Sequence, residues 1–145
     1  MIQLTQQQIK EIAEELDSGL RCFIHKENGE ILTFPDTFKN IGIDTEPWEE
    51  EMEKLDDNFL DYYEIDQMES YDSFQIMEGF TESLSDSNHL KNKLIAALNR
   101  KKPFREFKFV IENSGEYRKM WFDYKNQKLI EWVNDSIERF NNSEA

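Results

Sequence analysis

The sequence predicts an α+β fold, with an N-terminal helix and a small antiparallel β-hairpin or sheet followed by a C-terminal bundle of about four helices. Apolar residues recur at helical spacing near the N-terminus and again from Ser70 onward. Between these regions, polar and apolar residues alternate on both sides of Asn28-Gly29, as they do in a hairpin. No linker divides the 145 residues, so we expect a single domain over 1–145. Within it, residues 1–69 contain the first helix, the hairpin and an acidic segment, and residues 70–141 form the helical part.

The first helix is predicted over the segment TQQQIKEIAEELD. Thr5 and Gln8 have the spacing of a capping box, in which each side chain satisfies a backbone N–H group. Gly19 supplies the stop signal after the helix. Four apolar residues fall on one face of this helix, namely Ile9, Ile12, Ala13 and Leu16.

The segment LRCFIHKENGEILTFP is predicted to form the hairpin. Asn28-Gly29 offers the positive φ angles that a tight hairpin turn needs, and Pro35 ends the second strand. Cys22 falls on the apolar side of the first strand, where a free cysteine is usually a small buried hydrophobe. A single cysteine excludes an internal disulfide and a thiolate zinc site.

An acidic segment follows the hairpin and is predicted to be a loop and a short helix. Thr45 is the expected N-cap, with Pro47 in the first turn, where its missing N–H has no cost. The glutamates at 49–51 then lie at the positive end of the helix dipole. The sequence leaves open whether residues 44–58 are ordered. FLDYYEI, after them, predicts a third strand beside the hairpin.

The remaining chain has helical periodicity, interrupted by polar turns and by Pro103. The last helix is expected from about Glu116 to Phe140. The apolar positions of the two helices before Pro103 are Phe74, Met77, Phe80 and Leu84 in the first, and Leu90, Leu94, Ala97 and Leu98 in the second.

Charge is unevenly distributed along the chain, whose net charge is −14. Residues 1–72 contain 20 acidic and 5 basic side chains, whereas residues 73–145 contain 11 and 12. Such an acidic excess repels nucleic acid and argues for a basic protein partner or for none. The N-terminus has no apolar leader and no window reaches membrane-spanning length, so we expect a cytoplasmic protein with no membrane partner.

One stretch, NRKKPFREFKFVIE, is strongly basic, and we call residues 99–108 the basic corner. Pro103 breaks the helix there, and Phe104, Phe107 and Ile111 then share one face, with Phe109 widening it, which favours a core role for the rings. The alternative is a nucleic-acid or phosphate site. Its anion-binding candidates are Arg100, Lys101, Lys102, Arg105 and Lys108.

The last helix is apolar on two sides in its first half. Such a helix is either packed between two layers or offers an aromatic and methionine surface to a partner or for self-association. The partner-binding candidates are Tyr117, Met120, Trp121 and Tyr124.

Several of these segments resemble a bacterial family, uncharacterised protein family 0158. The resemblance lies in FQIMEGFTESL, LIAALNRKKPFREFKFVI, WFDYKNQKLIEWV and the hairpin, and covers most of the chain. Glu106 departs from the family pattern, which has a second basic residue there, and Lys101-Lys102-Pro103 stands where a glycine-containing turn is common. The resemblance implies a bacterial source and the family fold, and it implies no activity. The matching positions are Met77, Phe80, Phe104, Arg105, Phe107, Lys108, Glu131 and Trp132.

No pattern in the sequence indicates catalysis. His25 and His89 lack ligand partners at metal-binding spacing, no glycine-rich phosphate loop is present, and no metal or cofactor is expected. The sequence therefore favours a non-enzymatic cytosolic protein that acts through protein–protein interaction. Nucleic-acid or phosphate binding at the basic corner is one alternative. An enzyme that uses carboxylates as general acid and base is the other.

Overall fold

The computed structural model describes residues 1–143 and confirms the α+β fold. The chain forms two compact units, and the last helix contributes to both. Unit 1 contains Met1–Gln67 and the helix from Leu129 onward, and unit 2 is Met68–Lys128. The expectation of a single domain stays a prediction. The elements are α1 (Gln6–Asp17), β1 (Leu20–His25), β2 (Ile31–Pro35), α2 (Glu49–Asp57), β3 (Tyr62–Ile65), α3 (Ser70–Ser83), α4 (His89–Leu98), α5 (Pro103–Glu112) and α6 (Tyr117–Ser143).

The caps of α1 and α2 differ in how well the sequence predicted them. The Thr5 hydroxyl accepts a bond from the Gln8 amide at 3.1 Å, and the Gln8 side chain accepts from the Thr5 amide at 2.9 Å, so the capping box is confirmed. Thr45 makes no side-chain cap. A single 3-10 turn, Glu46–Trp48, takes up the predicted first turn, and α2 begins only at Glu49. Residues 44–58 therefore form defined structure.

Unit 1 is built on a three-stranded antiparallel sheet with the order β2-β1-β3. The β1–β2 turn is wider than the predicted two residues, because the strands end at His25 and begin again at Ile31. The Gly29 amide donates to the His25 carbonyl at 3.1 Å, and Gly29 has a φ of +71°. Among the described residues only glycines have positive φ, so the prediction of a positive angle at Asn28 is wrong.

The two faces of the sheet are covered by different helices. On one face, Cys22, Ile24 and Ile65 are completely buried, and α1 packs against β1. On the same face, the Tyr63 ring stacks on that of Phe140 in α6, with 4.4 Å between the ring centroids. The opposite face carries α2. Its apolar cluster contains Phe23, Leu32, Phe34, Leu55 and Tyr62, with Trp48 and Met52 packed against it.

Unit 2 has its own core, formed by α3, α4, α5 and the first part of α6. Phe107 is a central member, which confirms its predicted core role. Gly79 on α3 lets the Tyr124 ring approach closely, because a Cβ at position 79 would lie 2.5 Å from the Tyr124 hydroxyl. The buried members are Met77, Phe80, Leu84, Leu94, Phe107, Ile111 and Trp121.

Candidate interaction surfaces

The outward side of α2, with the loops that precede and follow it, forms what we call the acidic surface (residues 36–61). Because Trp48, Met52 and Leu55 face the sheet, most other positions of α2 face outward. Glu51 is the exception among the glutamates of the helix, since its Oε2 atom is buried. The one cation of α2, Lys54, is paired with Glu30 at 2.7 Å, so the helix presents mainly carboxylates. The exposed acidic residues of this surface are Asp44, Glu46, Glu49, Glu50, Glu53, Asp56, Asp57 and Asp61.

Large apolar side chains are exposed in both loops beside α2. Before the helix, Phe38 is 87% exposed and Ile41 is 89% exposed. After it, Phe59 is 68% exposed and Leu60 is 77% exposed. Single exposed apolar residues are ordinary on protein surfaces, but here they stand in two pairs, one before and one after a helix rich in carboxylates, and apolar groups beside a charged rim are characteristic of interaction sites.

The loop that carries Phe38 and Ile41 is held by hydrogen bonds. Asp36 accepts from the Phe38 amide at 2.9 Å through its side chain and from the Asn40 amide at 3.0 Å through its carbonyl. The Ile43 amide donates to the Asn40 carbonyl at 3.1 Å, around Gly42 with a φ of +86°. The loop therefore presents its apolar side chains from a defined turn, which lowers the entropy cost of binding.

A hydrogen-bonded cluster anchors α2 at the hairpin end of the sheet. Glu30 accepts from the Lys54 ammonium at 2.7 Å and from the Tyr62 hydroxyl at 2.9 Å. The bond from Lys54, followed by that from Tyr62, lowers the pKa of Glu30. Burial, followed by the bond to Glu30, raises the pKa of Tyr62 to about 12. Lys54 and Tyr62 both donate to Glu30, and these two bonds fasten α2 to the sheet.

The cations of the basic corner are partly neutralised by nearby carboxylates. Arg100 and Arg105 each lie 3.2 Å from Glu106, and the Arg105 hydrogen bond is the largest cause of the lowered pKa of Glu106. Lys108 lies 3.9 Å from Glu112. Glu106, the residue that departs from the family pattern, thus contacts two of the five anion-binding candidates. The two remaining candidates, Lys101 and Lys102, are exposed.

The aromatic residues of α5 do not all enter the core. Phe107 and Ile111 are buried, whereas Phe104 is 43% exposed and Phe109 is 67% exposed. The prediction that Phe109 widens the apolar core stripe is wrong. At 100° per residue, Phe109 falls on the same side of the helix as Arg105 and Lys108, which face solvent.

The partner-binding candidates on α6 lie mostly against the core of unit 2. Trp121 is buried, with its ring centroid 4.8 Å from that of Phe107. Tyr124 is half-buried against Phe80, and the half-buried Tyr117 hydroxyl accepts a bond from Asn88 at 3.1 Å. Of the four candidates, only Met120 is largely exposed, at 48%. Partner binding by these residues stays a prediction.

Residues with other chemistry occupy structural positions. The His25 Nδ1 atom accepts from the amides of Glu27 and Asn28, at 3.1 and 3.3 Å, and so supports the β-turn. Burial raises the pKa of the Cys22 thiol to about 12. Within residues 1–143, no group of three or more His, Cys, Asp or Glu side chains is arranged to hold a metal ion. In the same range, no helix has both the length and the apolarity that a bilayer crossing requires.

Comparison with known proteins places the chain in a family. The model of Uncharacterised protein family UPF0158 matches residues 1–144. The chain belongs to this family. It is similar to UPF0158 protein PA5073 of Pseudomonas aeruginosa, with 27% identity over 135 residues that cover 90% of this chain and 80% of that protein. No solved structure matches the chain.

The family membership confirms the resemblance seen in the sequence and says nothing of chemistry. The exposed residues of the acidic surface, Phe38 and Ile41 above all, went unnoticed at the sequence level. Their signal was a short segment, FKNIGI, whose apolar residues are spaced by three and then by two positions, so that neither a helix nor a strand pattern continues through it.

Proposed function

We propose that this family member acts by binding another protein through the acidic surface. The observation that carries the proposal is the exposure of Phe38, Ile41, Phe59 and Leu60 on the two loops that enclose an acidic helix. Burying one such side chain against a partner contributes about 1.5–3 kcal/mol. Interfaces draw most of their affinity from a few anchors of this kind.

The chemistry of the acidic surface defines the partner it would accept. Carboxylates around apolar anchors favour a partner that presents lysines or arginines around apolar pockets. Unit 1 supports this polarity, because its described residues include 21 acidic and 6 basic side chains. Charge of this kind raises the association rate and suppresses acidic competitors such as nucleic acid.

The alternative functions receive less support. At the basic corner, Glu106 and Glu112 offset two of the five positive charges and pair with Arg100, Arg105 and Lys108, so a small anion would compete with these carboxylates. A general acid at neutral pH requires a raised carboxyl pKa, whereas hydrogen bonds from cationic side chains lower the pKa of Glu30, Asp86 and Glu106.

The proposal is tested by affinity capture from lysate of the source cells, with nuclease present. The double variant Phe38→Ser/Ile41→Ser removes the two most exposed anchors without touching the core. Tyr71→Ser, at a position 69% exposed on α3, is the matched control. We expect a protein that the wild type and the control capture and that the double variant loses. Equal capture by all three proteins would refute the proposal.

A further inference from the structure

The outward face of α5 is a second exposed surface, of opposite charge to the first. Arg105, Lys108 and Phe109 share this face, and Lys101 and Lys102 lie exposed just before the helix. The basic corner carries five cations and one carboxylate, Glu106, so its net charge is +4. Unit 2 as a whole has 11 basic and 9 acidic residues, in contrast to the strongly acidic unit 1.

We propose that the α5 face binds the acidic surface of a second copy of this chain. The inference rests on the proposed function and names the partner as the chain itself. Charge complementarity carries the argument, because each molecule presents acidic residues beside exposed apolar anchors on one unit and cations beside an exposed phenylalanine on the other. The α5 face of one copy and the acidic surface of another are therefore complementary in charge.

The pairing matches apolar groups as well as charges. Phe109, 67% exposed, and Phe104, 43% exposed, are the apolar groups that would meet Phe38, Ile41 or Leu60 of the other copy. The net charge of −14 per chain opposes association at long range. At physiological ionic strength the screening length is about 8 Å, so distant repulsion is damped while charges in direct contact still attract.

Charge reversal on the two surfaces gives a test with internal controls. Variant A, Glu50→Lys/Glu53→Lys/Asp57→Lys, reverses three exposed positions on the outward side of α2. Variant B, Lys101→Glu/Lys102→Glu/Lys108→Glu, reverses exposed cations of the basic corner. All six positions are outside the buried cores, and circular dichroism with thermal unfolding checks that both variants fold.

Sedimentation equilibrium of the full chain measures self-association over a range of concentrations in 0.15 M salt. We expect the wild type to associate and each variant alone to associate about 100-fold more weakly, because like charges then face each other. An equimolar mixture of A and B, and a chain that carries both sets of changes, should recover association. Phe109→Ser should weaken the wild-type association about tenfold.

Three outcomes would overturn the inference. In the first, the wild type stays monomeric at all concentrations while the acidic surface still captures a different protein from lysate. This result would refute self-association and leave the proposed function standing. Association that survives in A and in B would show that copies meet through other surfaces. Failure of the lysate capture and of sedimentation together would remove both proposals.

Discussion

Replacing Gly79 with alanine tests the close approach of Tyr124 to α3 in unit 2. The added Cβ would lie 2.5 Å from the Tyr124 hydroxyl, where ordinary van der Waals contact begins near 3.4 Å. The Tyr124 ring must move to admit it, and that ring packs on Phe80 at 5.5 Å and on Trp121 at 6.5 Å between centroids. Such overpacking costs about 2–3 kcal/mol. Alanine regains about 1 kcal/mol of helix propensity, so we expect a net loss of stability of about 1–2 kcal/mol.

Removing the hydroxyl should reverse the sign of this effect. In a Tyr124→Phe background, the nearest atom to the new Cβ is the ring Cζ at 3.6 Å, which is an ordinary contact. Gly79→Ala should then stabilise the protein by about 1 kcal/mol, because only the propensity gain is left. The coupling energy between the two positions is therefore about 2–3 kcal/mol.

Urea unfolding of the four proteins in this double-mutant cycle provides the measurement. Far-UV circular dichroism and tryptophan fluorescence are recorded together, and the free energies come from linear extrapolation. A Gly79→Ala variant that is more stable than the wild type would refute the reasoning. Equal effects of the substitution in the tyrosine and phenylalanine backgrounds would do so too.

Three further predictions concern the interior. Cys22 should resist thiol reagents at pH 8 in the native protein and react fully in urea, since it is completely buried and its pKa is raised to about 12; fast native labelling would contradict its placement. Folding raises the pKa of Tyr62 from 10.0 to about 12, so its contribution to stability is complete below pH 10 and declines above it. In the Tyr62→Phe variant, the urea concentration at the unfolding midpoint should therefore fall less between pH 10 and pH 12 than it does in the wild type. Leu94→Ala should lower the free energy of unfolding in urea by about 2–5 kcal/mol, because Leu94 is completely buried. Ile95→Ala, at the exposed neighbouring position, should change it by less than about 0.5 kcal/mol, and similar losses at both positions would contradict the core assignment.

Local rules predicted much of the secondary structure from the sequence. The capping box at Thr5 depends on two side chains and the backbone between them, and it forms as expected. The antiparallel hairpin follows from alternation along β1 and β2. Its turn was predicted too tight, because a glycine signals a positive φ without fixing how many residues the loop contains.

The candidate surfaces were harder to predict because exposure depends on tertiary packing. Phe109 belongs to an apolar run, and only the packing of α5 through Phe107 and Ile111 shows that it faces outward. The two apolar sides of α6 have a similar origin. Its first part packs through Trp121 in the core of unit 2, and the part from residue 129 onward buries Val133 in unit 1.

The most direct test of the acidic surface as a protein-binding site is photo-crosslinking in the source cells. A photoreactive amino acid replaces Ile41 in one strain and Tyr71 in another, two positions that are 89% and 69% exposed. We predict a covalent protein adduct at position 41 that disappears when Phe38→Ser is added, with no such adduct at position 71. An adduct of twice the chain mass would identify the partner as a second copy. No adduct at position 41, or the same adducts at both positions, would contradict the proposal that this surface binds a protein.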